Sequence, residues 1–355
     1  MTDAIPTPSP ESSAATPHRR RPRYPGKNPR RFEDKYKEHD PQRYGETVAK
    51  VIASGKTPAG THRPIMVAEI LESLAPKPGQ LAVDCTLGYG GHTREILTKL
   101  QPGGRMIGLD ADPVELPKTE ARLRELGFGA ESFKAVRTNF AGLPQVLAGE
   151  GLSGADCILA DLGVSSMQLD NPARGFSVKL DGPLDMRMNP QRGVSAEALL
   201  KKLAPRALAE LLGDNADEPR ATELSAALAG RSFGTTLALA RAIPDALPRL
   251  SPDEADQTVR RVFQALRIAV NEEFSALETL LRNLPSCLKP GGRVAILTFH
   301  SGEDRRVKKA FQAGHRSGVY SDIAQKVIRP GAEERHGNPR SIPAKLRWAR
   351  KADAP

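Results

Sequence analysis

The chain has 355 residues, enough for one large or two ordinary domains around a sizeable core. It has no run of the ~18–20 apolar residues that a bilayer span takes and no apolar N-terminal h-region, so neither a membrane span nor a secretory signal is expected. Its three cysteines, Cys85, Cys157 and Cys287, are scattered with no C-x-x-C, which suggests neither a zinc site nor a disulfide framework and fits a reducing, cytoplasmic compartment, while a net charge of +10 suits a polyanionic partner.

Residues 1–45 are rich in Pro, Ser and Arg and nearly free of aliphatic side chains. Arg19, Arg20, Arg21, Arg23, Lys27, Arg30 and Arg31 fall in a window without an acid. Such a composition buries too little apolar surface to order itself, and a disordered basic arm able to touch phosphates is expected. The acids from Glu33 to Asp40 and the many prolines argue against an organelle transit peptide.

The folded part is expected from near His62. Ile65 to Leu74 has helical spacing, and Pro76 to Gly79 turns the chain. The apolar run Leu81 to Val83 then enters Asp84, a glycine cluster (Gly88, Gly90, Gly91) and a second helical run (Ile96, Leu97, Leu100), which reads as strand, tight loop and helix N-terminus. A second strand, Arg105 to Leu109, ends in Asp110. A charged helix follows from about Val114 to Leu126. A short strand near Ser132 to Val136 leads to Asn139-Phe140, and a fourth, Asp156 to Ala160, ends in Asp161. This alternation predicts a parallel sheet with helices on both faces, a Rossmann-like α/β fold.

After Asp161 the alternation stops. Residues 172–256 are rich in Arg, Ala and Leu, with helical patches at Ser195–Leu203, Pro205–Leu212 and Leu237–Ile243, and read as an inserted helical subdomain. The α/β domain then has a first part over 46–171 and a second over 257–355. In the second, Val259, Phe263, Leu266, Val270, Phe274, Leu277 and Leu281 form a buried helical stripe. Lys289-Pro290-Gly291-Gly292 is predicted as a turn, Arg293 to Phe299 as a strand ending at His300, Glu303 to Phe311 as a helix, and Lys345 to Ala349 as a last strand.

Ligands of open α/β sheets bind beyond the carboxyl ends of the strands, which here carry Asp84–Thr86, Asp110, Asp161 and His300. A dinucleotide loop starting at Gly88 needs glycine at position 93, where Thr93 stands, and this argues against a nicotinamide oxidoreductase. S-adenosylmethionine has no pyrophosphate, and a glycine loop with a strand-end acid for the ribose suits it. Phe140 is placed to lie against a purine or to fill the core. In Asp161 to Gln168, one carboxylate and the hydroxyls of Ser165 and Ser166 can accept from an exocyclic amine, although the serines read equally as helix caps. Asp185, in the loop Asp181 to Met188, either joins them or closes a turn with Arg187. His62 and His300 are possible acid–base groups, more often structural. No metal-ligand cluster is present, and the oligomeric state stays open.

At this point the residues reach a family. The chain resembles the bacterial 16S ribosomal RNA cytosine-N4 methyltransferases (the RsmH, or MraW, family) through His62-Arg63-Pro64-Ile65-Met66, Asp84 to His92, Asp161 to Asp170 and Arg174-Gly175-Phe176-Ser177. It does so again at Asp181 to Met188, Phe263 to Asn271, Phe299-His300-Ser301 and Asn338-Pro339-Arg340-Ser341. The resemblance implies a class I S-adenosylmethionine-dependent methyltransferase sheet with an inserted helical subdomain for substrate recognition. The implied reaction is methyl transfer to N4 of a decoding-centre cytosine (position 1402 in the usual rRNA count) in the 16S rRNA of the small ribosomal subunit. The implied cofactor contacts are Gly90, Gly91, His92, Asp110, Phe140, Asp161 and Gln168, with Asp84 orienting the loop. The residues themselves suggest Asp161, Ser165 and Ser166, and next Asp185, as groups acting on the amine, with no metal. A non-enzymatic RNA-binding factor on the same fold is disfavoured by the intact Asp110, Asp161 and Gln168. Departures from the family pattern are Gly302 in place of the usual leucine, Ile342-Pro343 in place of Arg-Ser, a weak match over Asp214 to Gly230, and the arm, which compact members lack.

Overall fold

A seven-stranded sheet forms the centre of the chain in a computed structural model that describes residues 64–353. The basic arm expected over 1–45, and His62, lie outside the described residues. The strands are β1 (Leu81–Asp84), β2 (Arg105–Asp110), β3 (Phe133–Arg137), β4 (Ala155–Asp161), β5 (Leu288–Thr298), β6 (Tyr320–Ile323) and β7 (Lys345–Lys351). Their order is β3-β2-β1-β4-β5-β7-β6, parallel from β3 to β5, with β7 antiparallel to both neighbours. The order reverses between β1 and β4, and that switch point opens a crevice at the strands' carboxyl ends.

Alternate residues of each central strand serve opposite faces, because strand side chains alternate. Ala82, Met106, Cys157 and Leu159 pack with helices α1 (Val67–Leu74), α2 (Gly91–Leu100) and α3 (Leu116–Glu125). Val83, Ile107, Ile158 and Ile296 pack on the other face with α4 (Leu143–Gly149), α11 (Glu273–Cys287) and α12 (Ser301–Arg316). All three cysteines are buried free thiols. Among the described residues no helix is long and apolar enough to cross a membrane.

Between β4 and α11 lie α5 (Ser166–Asp170), α6 (Ala196–Lys202), α7 (Pro205–Ala216), α8 (Ala221–Leu228), α9 (Thr236–Ala246) and α10 (Pro252–Val270). A third apolar core, from Phe176 through Leu212 and Ile243 to Leu266, joins them. It draws on α10 well past residue 256, so this helix packs with the insertion as well as leading back to the sheet. The stripe from Val259 to Leu281 is divided: α10 stops at Asn271, and Glu272 takes a left-handed φ of 52° before α11 begins. The predicted turn at Lys289 to Gly292 is instead an irregularity within β5, where the pairing with β4 jumps between Ala155 and Cys157.

Candidate active site

The loop after β1 is fixed by a buried carboxylate. Asp84 accepts from the Thr86 N–H at 3.0 Å through one oxygen and from the Thr93 hydroxyl at 2.7 Å through the other. The Thr86 hydroxyl in turn accepts from the Asp161 N–H at 2.6 Å, so the ends of β1, β4 and α2 are stitched together. Burial raises the Asp84 carboxyl above its ordinary range, against the lowering effect of its hydroxyl and N–H donors and of His92. Gly90 has φ 80°, and a Cβ there would stand 2.9 Å from Thr119. Gly91 lies in the first helical turn rather than at positive φ. Its small size is needed because a Cβ would press on the Pro64 ring at 3.1 Å.

Around this loop is a cavity of about 470 Å³, whose lining includes Gly88 to His92, Asp110, Asp112, Phe140 and Gln168. Asp110 accepts from the Gly88 N–H and the Asp112 N–H, both at 2.8 Å. Burial pushes its carboxyl up to about 6, against those two bonds and with help from the charges of Asp112 and Asp84. Phe140 serves both expectations, lining the cavity while packing on one sheet core.

Ser165 caps α5: its hydroxyl accepts from the Gln168 N–H, and the Gln168 side-chain oxygen accepts from the Ser165 N–H at 3.0 Å. Ser166 is the first residue of that helix and lines the cavity beside it. The Gln168 amide donates to buried Asp112 at 2.9 Å, so it holds the site's wall. Arg174 donates to Asp112 at 2.7 Å and to the carbonyls of Arg187 and Met188, bracketing the cavity to the Asp181 to Met188 loop. Asn271 fastens the same loop, donating to the Met186 carbonyl at 2.8 Å and accepting from the Met188 N–H at 2.7 Å.

Asp161, at the end of β4, lines the same cavity. Burial pushes its carboxyl up to about 6; His92 opposes this, and Asp84 and Glu303 add to it. The cavity is also lined by Arg267, Asn271, Glu273 and Glu303, and by Arg260 and Arg340, which are exposed and so stand at its rim. Arg267 grips Glu273 through two bonds of 2.8 and 2.9 Å. Burial alone would raise Glu303, but His300, Arg267 and the Phe299 N–H outweigh it and hold its carboxyl low.

The structure does not bring every expected residue to the cavity. Asp185 is outside the lining and is closed onto Arg187 by bonds of 2.8 and 2.7 Å. His300 stands behind Glu303, 3.2 Å from its carboxylate, and tilted against the Phe274 ring. Sequence reasoning passed over Asp112, Arg267, Glu273 and Glu303. Arg267 and Asn271 share one helical face at i, i+4 within a motif already singled out, which is the signal that points to them. No group of three or more potential metal ligands occurs among the described residues.

A family model described as "MraW methylase family" matches residues 59–352. The chain is similar to "Ribosomal RNA small subunit methyltransferase H 1" of Lachnoclostridium phytofermentans, 50% identical over 344 residues, covering 94% of this chain and 93% of that protein. It is similar to the protein of the same name from Agathobacter rectalis, 49% identical over 345 residues, covering 95% and 98%. "Ribosomal RNA small subunit methyltransferase H" of Anaeromyxobacter sp. (strain K) is 41% identical over 309 residues, covering 82% of this chain and 97% of that protein. At 94% and 95% of this chain, the first two matches reach into the basic arm, whereas the third covers little beyond the family match.

Proposed function

The chain belongs to the MraW methylase family, and on that premise we propose that it transfers the methyl group of S-adenosylmethionine to the N4 amine of a cytosine in the decoding centre of 16S rRNA, in the small ribosomal subunit of the bacterial cytoplasm. The observation that carries this reading is Asp161: a buried carboxylate lining the same cavity as the glycine loop and the strand-end Asp110, close to His92 and to Glu303.

The cofactor end takes Gly90, Gly91 and His92 at the helix N-terminus, Asp110 for the ribose hydroxyls and Phe140 against the purine, with Gln168 and Asp112 as the wall. When bound, the cofactor supplies a methyl carbon on a sulfonium leaving group. The chain's part is to align the amine with that carbon and exclude water. The N4 lone pair is delocalised into the ring, so acceptors for the amino hydrogens favour its rehybridisation. Asp161 is our candidate for this, with Ser166 lining the same cavity and the Ser165 hydroxyl occupied in its cap. The base must leave its stack to reach the cavity. The insertion and the rim arginines face the RNA.

Labelled S-adenosylmethionine incubated with small ribosomal subunits, followed by nucleoside analysis, tests this. The expected product is N4-methylcytidine at one position. Label on another nucleoside, or none, overturns it.

A further inference from the structure

The His92 ring is flanked by two acceptors. Its Nε2 lies 2.9 Å from the Ile65 carbonyl oxygen, and its Nδ1 lies 3.5 Å from Asp161 Oδ2. A neutral imidazole has one N–H and can satisfy only one of them, while the imidazolium has two. The ring is buried, and Asp161 Oδ1 is buried with no hydrogen-bond partner among the described residues. A carboxylate so placed needs a counter-charge. The other charges facing it are Asp84 from β1 and Glu303 from α12, both negative. Behind Glu303 stand His300 and the Arg267–Glu273 pair.

We propose that His92 is the positioning residue that holds Asp161 as an ionised proton acceptor, serving the carboxylate as a buried imidazolium counter-ion anchored on the Ile65 carbonyl. The proposal rests on the methyl-transfer reading above. In the step it serves, the N4–methyl bond forms as the sulfur–methyl bond breaks, the electron pair leaving with sulfur as a neutral thioether. The positive charge passes to the exocyclic nitrogen, which loses its proton to the Asp161 carboxylate. A protonated Asp161 cannot accept it. The burial that pushes this carboxyl upward therefore works against the reaction, and His92 works for it.

The test is a titration of Asp161 by infrared spectroscopy, its carboxylic-acid band identified by loss in Asp161→Asn, in the full-length wild type and in His92→Gln. Glutamine keeps a donor for the Ile65 carbonyl and removes the charge. His92→Asn, which keeps a buried amide without reaching Ile65, serves as the second variant. An opposite charge at this range lowers a carboxyl by ~1–3 units, so the midpoint should move up by about that much in both variants. The acid limb of the kcat–pH profile should move up with it. A structural role for His92 would scale kcat at every pH and leave both midpoints in place, and that result overturns the proposal. The infrared titration needs no turnover. Failure to find N4-methylcytidine with the wild type would overturn the functional reading and the proton step, while an unmoved band would overturn the counter-ion by itself.

Discussion

Asp110 meets the cavity with both carboxylate oxygens already accepting backbone N–H groups, yet burial keeps its carboxyl near the middle of the titration range, at about 6. Ribose hydroxyls donating to it favour the ionised form, so cofactor binding should lower that value and release protons near pH 6. Little release is expected at ~pH 8, where the carboxylate is already ionised. Calorimetry in buffers of different ionisation enthalpy measures this, and affinity should rise with pH through that window and then level off. Equal proton release at both pH values would place the cofactor away from Asp110. Removing the carboxylate in Asp110→Ala should weaken cofactor binding by roughly 1–3 kcal/mol, the cost of a hydrogen-bonding charge. Asp161→Asn separates differently. Turnover should fall on the order of 10²-fold or more with RNA affinity nearly kept, since the lost group acts on the amine's proton. Normal turnover at saturating cofactor, with cofactor binding lost, would make Asp161 a binding residue only.

Elements built on local signals were legible in the sequence, and those built on tertiary partners were not. The first four strands, the glycine loop and the helix behind it follow from apolar runs ending in acids and glycines. The start of α10 was also written, as the capping box that Ser251 and Glu254 complete, although the boundary was drawn at 256. By contrast α8 begins after Arg220 with no side-chain cap, and β6 is a four-residue edge strand with two exposed residues, held by its pairing with β7. Asp112, Glu273 and Glu303 gave no sequence signal, because a buried charge looks like a surface one until its partner is placed. The Arg174–Asp112 pair shows what such a partner does. Asp112 is fully buried and Arg174 nearly so. Arg174→Met should therefore destabilise the fold by about 3–5 kcal/mol in urea unfolding, by leaving a buried carboxylate without its cation. A change below ~1 kcal/mol, within the range of exposed pairs, would show that Asp112 is solvated. Gly302 has a similar logic. A Cβ there would sit 2.6 Å from the Phe274 ring, which Arg306 stacks upon at 3.6 Å, so the glycine makes room for an aromatic at the position where the resemblance leads one to expect leucine. Gly302→Leu should cost about 1–3 kcal/mol, and Phe274→Ala in the same chain should recover part of it, read as a double-mutant cycle. Additive losses would remove Phe274 as the cause.

For the whole molecule the distribution of charge matters more than its sum of +10. The cavity is acidic inside, with Asp84, Asp110, Asp112, Asp161, Glu273 and Glu303 in or around it, and Arg260 and Arg340 stand at its rim. The densest basic run lies far from these in sequence: residues 1–45 carry ten Lys and Arg against six Asp and Glu, with the bases bunched from Arg19 to Arg31. The matches to two relatives of about half identity extend into this run. A basic segment can help an RNA enzyme by neutralising phosphates and releasing their counterions. Each such contact contributes roughly 0.9 to the magnitude of the salt slope on duplex-like nucleic acid and less on single strands. A chain starting near Tyr44 should therefore bind rRNA more weakly at low salt and with a flatter salt dependence than the full-length protein. The difference in slope counts the phosphates that the arm meets. Turnover at saturating RNA should hardly change, because the glycine loop and the Asp161 segment, which line the cavity, are kept in the shortened chain. Titrations of both chains with rRNA at several salt concentrations decide it. Parallel plots would leave the arm without a phosphate contact, and the rim arginines and the insertion would then carry the electrostatic attraction by themselves.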